Sequence, residues 1–167
     1  MGSLYVFDAS SLVQMRWKLP PEWCEQMLDR FAVMASGGRW ISVGQVLTEL
    51  REQEDYLAEW AVSHRELFPE ANEQTQTIVR EILRRFPRLV IPDKETPDAD
   101  PFVIAEALRR TRSSEAELFT AGPGTIVVSE ERIKPDRPTI PSVCQHYNID
   151  HTNLFGFVKE EGIRLTA

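Results

Sequence analysis

Short apolar runs alternate along the chain with longer stretches whose apolar residues recur at helical spacing. The runs Leu4–Phe7, 40–43 and Thr125–Val128 have the length and apolar content of buried strands. Shorter runs predict a small strand or an extended segment at 89–91 and an edge strand near Ile149. Buried strands that alternate with helices are typical of a parallel sheet, so the pattern predicts an α/β fold. We expect a central parallel sheet of about four or five strands flanked by helices.

Apolar stripes with a period near that of an α-helix predict the helices between these strands. They fall near residues 21–36, 46–50, 56–61, 78–86, 103–108, 143–147 and 154–161. No internal repeat and no break in composition divides the chain, so we expect one domain over residues 1–167. Within that domain, the mostly helical stretch 55–86 has the character of a subdomain or a lid over the α/β core.

Composition narrows the class of protein. The chain has 167 residues, 42% of them hydrophobic, which is enough for a core of its own. A net charge of −7 argues against a simple basic coat for nucleic acid. Two cysteines, Cys24 and Cys144, are too few for a disulfide framework and fit buried thiols. Neither a signal peptide nor a membrane-spanning run is apparent, so we expect a cytoplasmic protein.

Acidic residues follow the predicted strands or begin the predicted helices. These acids are Asp8, Glu49, Asp98, Asp100, Glu130 and Glu131. Ligands of open parallel sheets bind outside the carboxyl ends of the strands, where Asp8 and the Glu130–Glu131 pair fall. Acids at helix starts can also simply cap the helix and complement its dipole, which is the alternative for Asp98 and Asp100. Several carboxylates that converge at one edge would need a divalent cation, and their hard oxygens suit Mg²⁺ or Mn²⁺.

The sequence lacks the motifs of several other kinds of binding or catalytic site. The sequence contains no phosphate-binding GxxxxGK[ST] loop, no GxGxxG after a strand and no GxSxG nucleophile elbow. Asp8-Ala9-Ser10 resembles the start of a metal-dependent adhesion site, but Leu12 stands where that motif needs serine. The three histidines lack zinc-site spacing with the cysteines, which favours surface or hydrogen-bonded structural roles for them.

Four short motifs, in order along the chain, resemble those of PIN domains. Asp8-Ala9-Ser10 resembles the opening Asp-x-Ser, and Thr48-Glu49-Leu50 resembles the second motif, an acid at a helix start. Asp100 before Ile104-Ala105 resembles the third motif, and Ser129-Glu130-Glu131 after an apolar strand resembles the fourth. Segments at 140–149 and 55–60 are similar to prokaryotic PIN-like toxins of the VapC branch.

The resemblance implies a metal-dependent endoribonuclease that acts as the toxin of a toxin–antitoxin pair. It implies an RNA substrate, a cognate antitoxin protein, often a homodimer, and no membrane partner. Carried over by position, Asp8, Glu49, Asp100 and Glu131 are the expected catalytic and metal-binding residues, with Mg²⁺ or Mn²⁺ as cofactor. Glu130 is the alternative for the fourth acid. Ser10 and Ser129 match positions whose hydroxyls usually support the carboxylates.

Two clusters of arginine are candidates for holding RNA on this acidic chain. They are Arg80, Arg84, Arg85 and Arg88, and Arg109, Arg110 and Arg112. Arginine at the end of a helix also complements the helix dipole, which is the alternative for both clusters. The fourth motif has Glu where many family members have Asp, so a second function stays open. That function is a non-catalytic PIN-like module that binds RNA or a protein partner.

Overall fold

The computed structural model describes residues 2–90, 98–117 and 124–166, with only the backbone of 114–117. Over these residues a four-stranded sheet forms the centre of an α/β fold. The strands are β1 (Leu4–Phe7), β2 (Trp40–Ile41), β3 (Thr125–Val128) and β4 (Asp150–Thr152). All pairs are parallel, in the order β2-β1-β3-β4, with Leu4 opposite Thr125 and Val6 opposite Ile41. The predicted fold class is confirmed, and the architecture is consistent with a PIN-like fold.

Helices flank this sheet. They are α1 (Ala9–Lys18), α2 (Pro21–Ser36), α3 (Gly44–Arg51), α4 (Tyr56–Ser63), α5 (Glu73–Arg85), α6 (Asp100–Glu117), α7 (Ile140–His146) and α8 (Leu154–Glu160). Side chains of Asp8, Asp55, Asn72 and Asn153 accept hydrogen bonds from backbone N–H groups in the first turns of α1, α4, α5 and α8. These short polar residues satisfy donors that the helix itself leaves without partners, which fixes where each helix begins.

The core is built around the middle strand β1. Tyr5, Val6 and Phe7 are fully buried because β1 has a neighbour on each side and helices over it. The ring of Phe7 lies 4.9 Å from that of Phe31 and 5.1 Å from that of Trp40, so α2 packs on the sheet through aromatic contacts. This packing holds the carboxyl end of β1, and hence the residue that follows it, in one position.

The predicted elements differ from the observed ones in two places. The run 40–43 forms a strand only to Ile41, because the backbone N–H of Ser42 bonds to Leu67 O at 2.8 Å and not to β1. At the predicted strand or extended segment 89–91, Leu89 ends the 3-10 turn Pro87–Leu89, closed by Leu89 N on Phe86 O, and Val90 has an extended backbone without belonging to a described strand. The fixed φ of Pro87 favours that turn. Ile91 lies outside the described residues.

The stretch 55–86 contains α4, a 3-10 turn at Arg65–Leu67 and α5. Its helix α5 packs along α6. The idea of a lid and that of one domain over 1–167 remain predictions. Both cysteines are buried free thiols, as the sequence indicated. None of the helices in the described part of the chain has the length and apolar character needed to cross a membrane.

Candidate functional site

Asp8 lies at the carboxyl end of β1, where it caps α1. Its carboxylate accepts hydrogen bonds from Ser10 N at 3.2 Å and from Ser10 Oγ at 2.6 Å. Only 5% of the residue is exposed. Burial raises the pKa of Asp8 because the charged form loses water, although the bonds from Ser10 oppose this rise. The charge of Glu131 raises the pKa further, so the two carboxylates lie within electrostatic range of each other.

Asp100 begins α6 and faces the same group of acids. Burial, followed by the charges of four other carboxylates, raises its pKa from 3.8 to about 8. Those carboxylates are Asp8, Glu131, Asp98 and Glu49. Glu49 is also tied to the start of α6, because its Oε1 accepts a hydrogen bond from Ala99 N at 3.3 Å. This bond joins helices α3 and α6 beside Asp100. The charge of Asp98 also acts on Asp100, although the four motifs assign Asp98 no role.

Glu130 and Glu131 follow β3 but hold different partners. Glu130 Oε2 accepts bonds from Ser11 Oγ at 2.6 Å and from Leu154 N at 2.9 Å. Glu131 Oε2 accepts one from Ile140 N at 2.8 Å. Glu131 acts on both Asp8 and Asp100, while Glu130 ties α1 to α8. Glu131 therefore remains the predicted fourth acid, and Glu130 remains the alternative.

The two serines carried over from the resemblance behave differently. Ser10 supports Asp8 directly, and its Oγ also accepts a hydrogen bond from Glu130 N at 3.0 Å. The buried Oγ of Ser129 instead pairs with His151 Nε2 at 2.8 Å, and it has no carboxylate partner among the described residues. His151 stands on β4, next to β3, so the strand order brings the two side chains together. Burial lowers the pKa of His151, which favours the neutral ring.

The four predicted acids thus come from four parts of the chain, and the charges of Asp8, Glu49 and Glu131 all act on Asp100. Their oxygen donors suit Mg²⁺ or Mn²⁺, and the pKa of Asp100 is raised first by burial and then by the repulsion of these charges, which a cation would relieve. Across residues 2–90, 98–117 and 124–166, however, no three acidic, histidine or cysteine side chains stand together as a metal-binding group. The donor chemistry therefore fits a divalent cation, whereas a closed ligand shell is not formed.

The comparison with known proteins gives a family. A protein-family profile described as "Domain of unknown function (DUF4411)" matches residues 5–165. The chain belongs to this family. No curated protein matches it. The matched residues of this DUF4411 protein include β2, β3, β4, all of β1 except Leu4, and the four predicted acids.

In this DUF4411 protein, all three arginines of the second cluster, Arg109, Arg110 and Arg112, form ion pairs. Arg109 and Arg110 both bind the buried Glu106, at 2.6 and 2.8 Å, and Arg112 pairs with Glu81 at 3.0 Å. This favours the structural alternative for that cluster. In the other cluster, Arg80 lines a cavity beside α3. A second cavity, of about 440 Å³, borders Glu130, Glu131 and His151.

Proposed function

We propose that this chain is a metal-dependent endoribonuclease, the toxin of a toxin–antitoxin pair that acts on RNA in the cytoplasm. One observation carries the proposal: the carboxyl of Asp100 lies within electrostatic range of Asp8, Glu49 and Glu131. The PIN-like motifs assign the catalytic acids to these same four residues. Structural carboxylates are usually placed apart or beside cations, so such a cluster is more typical of a functional site.

The proposed reaction is the hydrolysis of an RNA phosphodiester bond by water. When bound, Mg²⁺ or Mn²⁺ would polarise the phosphoryl oxygen and lower the pKa of the attacking water. Asp8, Asp100 and Glu131 are the proposed ligands. Ser10 keeps the Asp8 carboxylate in place through its two hydrogen bonds. Glu49, held by Ala99 N, is proposed to orient the water and to take its proton.

The proposed partners come from the resemblance to PIN-like toxins. An antitoxin protein would bind the chain and block the site, and the toxin itself would often be a homodimer. Neither partner is needed to test the chemistry, because the four acids all belong to one chain.

The first experiment is cleavage of a mixed RNA pool by the purified protein in Mn²⁺, in Mg²⁺ and in EDTA. We expect cleavage only with metal. Asp8→Asn should lower the rate by more than the factor of about 10–100 that is usual for residues behind a metal ligand. The matched control is Asp29→Asn on the exposed face of α2, which should cut like the wild type.

The outcomes separate the two candidate functions. Folded protein that cuts no RNA with any metal would support the alternative, a PIN-like module that binds RNA or a protein without cutting. Cleavage that survives in Asp8→Asn would place the active site elsewhere. Circular dichroism must show that this variant is folded, and we expect it to be, because an amide oxygen can still accept the bonds from Ser10.

A further inference from the structure

A polar cavity of about 440 Å³ opens beside the predicted acids, on the β4 side of the sheet. Glu131, the predicted fourth acid, is itself part of its lining, and so is His151 of β4. The other lining side chains are polar too: Gln14, Glu130, Arg132, Thr152 and Asn153. Because the described lining contains no aromatic side chain, the cavity can form hydrogen bonds with a strand of RNA but offers no ring on which a base could stack.

One face of α1 leads away from this cavity. Ser10, near the start of the helix, bonds to the Asp8 carboxylate at 2.6 Å, and Gln14, four residues later, lines the cavity. Trp17 follows Gln14 by three residues. Residues three or four apart lie on the same face of an α-helix, so Ser10, Gln14 and Trp17 form a row that begins at the acids. At 1.5 Å per residue, this row extends about 10 Å along α1.

Trp17 ends the row as the most exposed large hydrophobic side chain in the described part of the chain, with 73% of its surface accessible. A ring so exposed contributes little to the core. Its position is nevertheless constrained, because the guanidinium of Arg16 lies 5.6 Å from the ring centre and also pairs with Asp55, the residue that caps α4. An exposed aromatic ring in a fixed position is a stacking platform for an unpaired base.

The charges around this row fit RNA better than they fit a protein partner. Lys18 is exposed next to Trp17, and Arg132 is exposed in the cavity lining. Neither cation takes part in an ion pair within the described part of the chain. On α1 the neighbours of Trp17 are Arg16, Lys18 and, one turn back, Gln14. The centre of a protein interface is poor in charged residues, whereas cations beside an aromatic ring are typical of surfaces that bind single-stranded nucleic acid.

We propose that an unpaired strand of the substrate RNA crosses this cavity and follows the row on α1, with one base stacked on Trp17. Lys18 and Arg132 contact phosphates of the same strand, and Gln14 forms a hydrogen bond with the nucleotide that lies between the acids and Trp17. Trp17 is thus a positioning residue, remote from the bond that is cut. This proposal rests on the proposed nuclease function, and it names the part of the surface that holds the substrate.

The first test compares Trp17→Leu with Trp17→Phe, because leucine keeps an apolar side chain but has no ring. Binding of a dye-labelled single-stranded RNA oligonucleotide of mixed sequence is measured in Mg²⁺, in the Asp8→Asn background so that the RNA stays intact. We expect Trp17→Leu to weaken binding at least about fivefold, the lower limit for one lost base stack, and Trp17→Phe to keep most of the affinity. Should Asp8→Asn not fold, Asp100→Asn provides the same background.

Two controls accompany this comparison. Val33→Ala shortens another exposed apolar side chain, on α2, and should bind RNA like its parent. Both Trp17 variants should melt within about 2 °C of the parent, because Trp17 is exposed. Equal affinities of Trp17→Leu and Trp17→Phe would overturn the proposed stacking.

The second test concerns the phosphates. The double variant Lys18→Gln, Arg132→Gln should lower the slope of log affinity against log salt by about 1.4, or 0.7 for each contact to a single strand. The control Arg30→Gln, on the exposed face of α2, should leave the slope unchanged. An unchanged slope in the double variant would overturn the proposed phosphate contacts.

The third test uses the active protein. Trp17→Leu should raise the KM for RNA cleavage and leave kcat nearly unchanged, because the stack is the same before and during the reaction. A lower kcat with an unchanged KM would contradict a role in holding the strand.

The remaining outcomes separate this proposal from the nuclease function. Cleavage of RNA by the wild type, together with unchanged binding in Trp17→Leu, would overturn the α1 proposal alone. Binding that depends on Trp17 without any cleavage would support the α1 proposal and contradict the nuclease. Neither cleavage nor binding of RNA by the wild type would overturn both. A dimer that Trp17→Leu converts to a monomer, with RNA affinity unchanged, would assign this face to a second copy of the chain and so overturn the proposal.

Discussion

Glu130 and Glu131 are neighbours in the chain, but their side chains have different hydrogen-bond partners. Glu130 is a link between elements, because it accepts bonds from Ser11 Oγ in α1 and from Leu154 N in α8. Glu131 faces Asp8 and Asp100. Successive side chains after a strand point in different directions, which is how adjacent identical residues come to have separate partners.

Substitution of Glu130 should therefore mainly lower stability, whereas substitution of Glu131 should mainly lower activity. Glu130→Ala leaves the buried Ser11 hydroxyl without its acceptor, so we expect the free energy of unfolding to fall by about 1–3 kcal/mol. Glu131→Gln should keep the fold and lose RNA cleavage. Urea unfolding and the RNA assay, run on both variants, check this. A stable, inactive Glu130→Ala would instead make Glu130 the fourth acid.

The pKa of Asp100 predicts how stability depends on pH without metal. Its pKa is 3.8 when unfolded and about 8 when folded. Between these values the folded protein binds more protons than the unfolded chain, so the free energy of unfolding should fall as pH rises from about 4 to about 8. Asp8 shifts in the same direction.

Asp100→Asn removes this contribution. In EDTA at pH 8 the variant should be more stable than the wild type by at least about 1.4 kcal/mol, the equivalent of one pKa unit. At pH 4 the two should differ little. Thermal unfolding across this pH range, with Asp29→Asn as the control, measures the effect. A wild-type stability that rises from pH 5 to pH 8 would contradict the assigned repulsion.

At the scale of elements, α6 joins the acidic cluster to the helical stretch that sequence analysis treated as a subdomain or lid. Asp100 is at its start, and one and a half turns later its buried Glu106 accepts a hydrogen bond from Thr75 Oγ1 of α5 at 3.3 Å. Burial alone would raise the pKa of Glu106, but hydrogen bonds from Arg109 and Arg110 hold it below its usual range. The pairing of Arg112 with Glu81 links the same two helices again.

Glu106→Gln should loosen α5 from α6. We expect a loss of about 1.5–3 kcal/mol, the usual contribution of hydrogen bonds to a charged group. Amide hydrogen exchange should speed up in α5 before it does in β1 and β3, because the lost bonds are local. Glu25→Ala, exposed on α2, is the control. Equal acceleration in all elements would show that α5 does not open separately.

Sequence patterns predicted some elements well and others poorly, for physical reasons. The runs at β1 and β3 are apolar except for Thr125 because both strands are buried, so their composition alone identifies them. Residues 89–91 are apolar too, yet Leu89 belongs to the 3-10 turn that begins at Pro87 and is closed by the bond from Leu89 N to Phe86 O. A short apolar run can form either a strand or a turn. Which of the two it forms depends on contacts with residues far away in the sequence or on a single proline.

Only part of the candidate site could be predicted from the sequence. Asp8 and Asp100 stand at element boundaries that the sequence marks, and the motif order pairs them with Glu49 and Glu131. The pairing of Ser129 with His151 was not predictable, because it depends on β4 lying beside β3.

For the whole molecule, the formal net charge of −7 includes Asp100 and the three predicted acids whose charges act on it, Asp8, Glu49 and Glu131. Mg²⁺ or Mn²⁺ should therefore stabilise the fold, by about 2.7 kcal/mol at a metal concentration one hundred times the dissociation constant. The gain should be larger at pH 8 than at pH 5, since protons compete with metal for the carboxylates. Melting curves check this, and Asp8→Asn should lose most of the gain whereas Asp29→Asn should keep it.

The pairing of Leu4 with Thr125 has a consequence for how the protein is made. Strand β1 is synthesised early, but its neighbour β3 and the acid that follows it come from the last third of the chain. Ribosomes add about 5–20 residues per second, so β1 waits several seconds for a central partner. During that interval Asp8 has no Glu131 beside it. A growing chain thus holds an incomplete set of the four acids until Glu131 has been added, and the proposed cleavage of RNA would have to wait for that stage of synthesis.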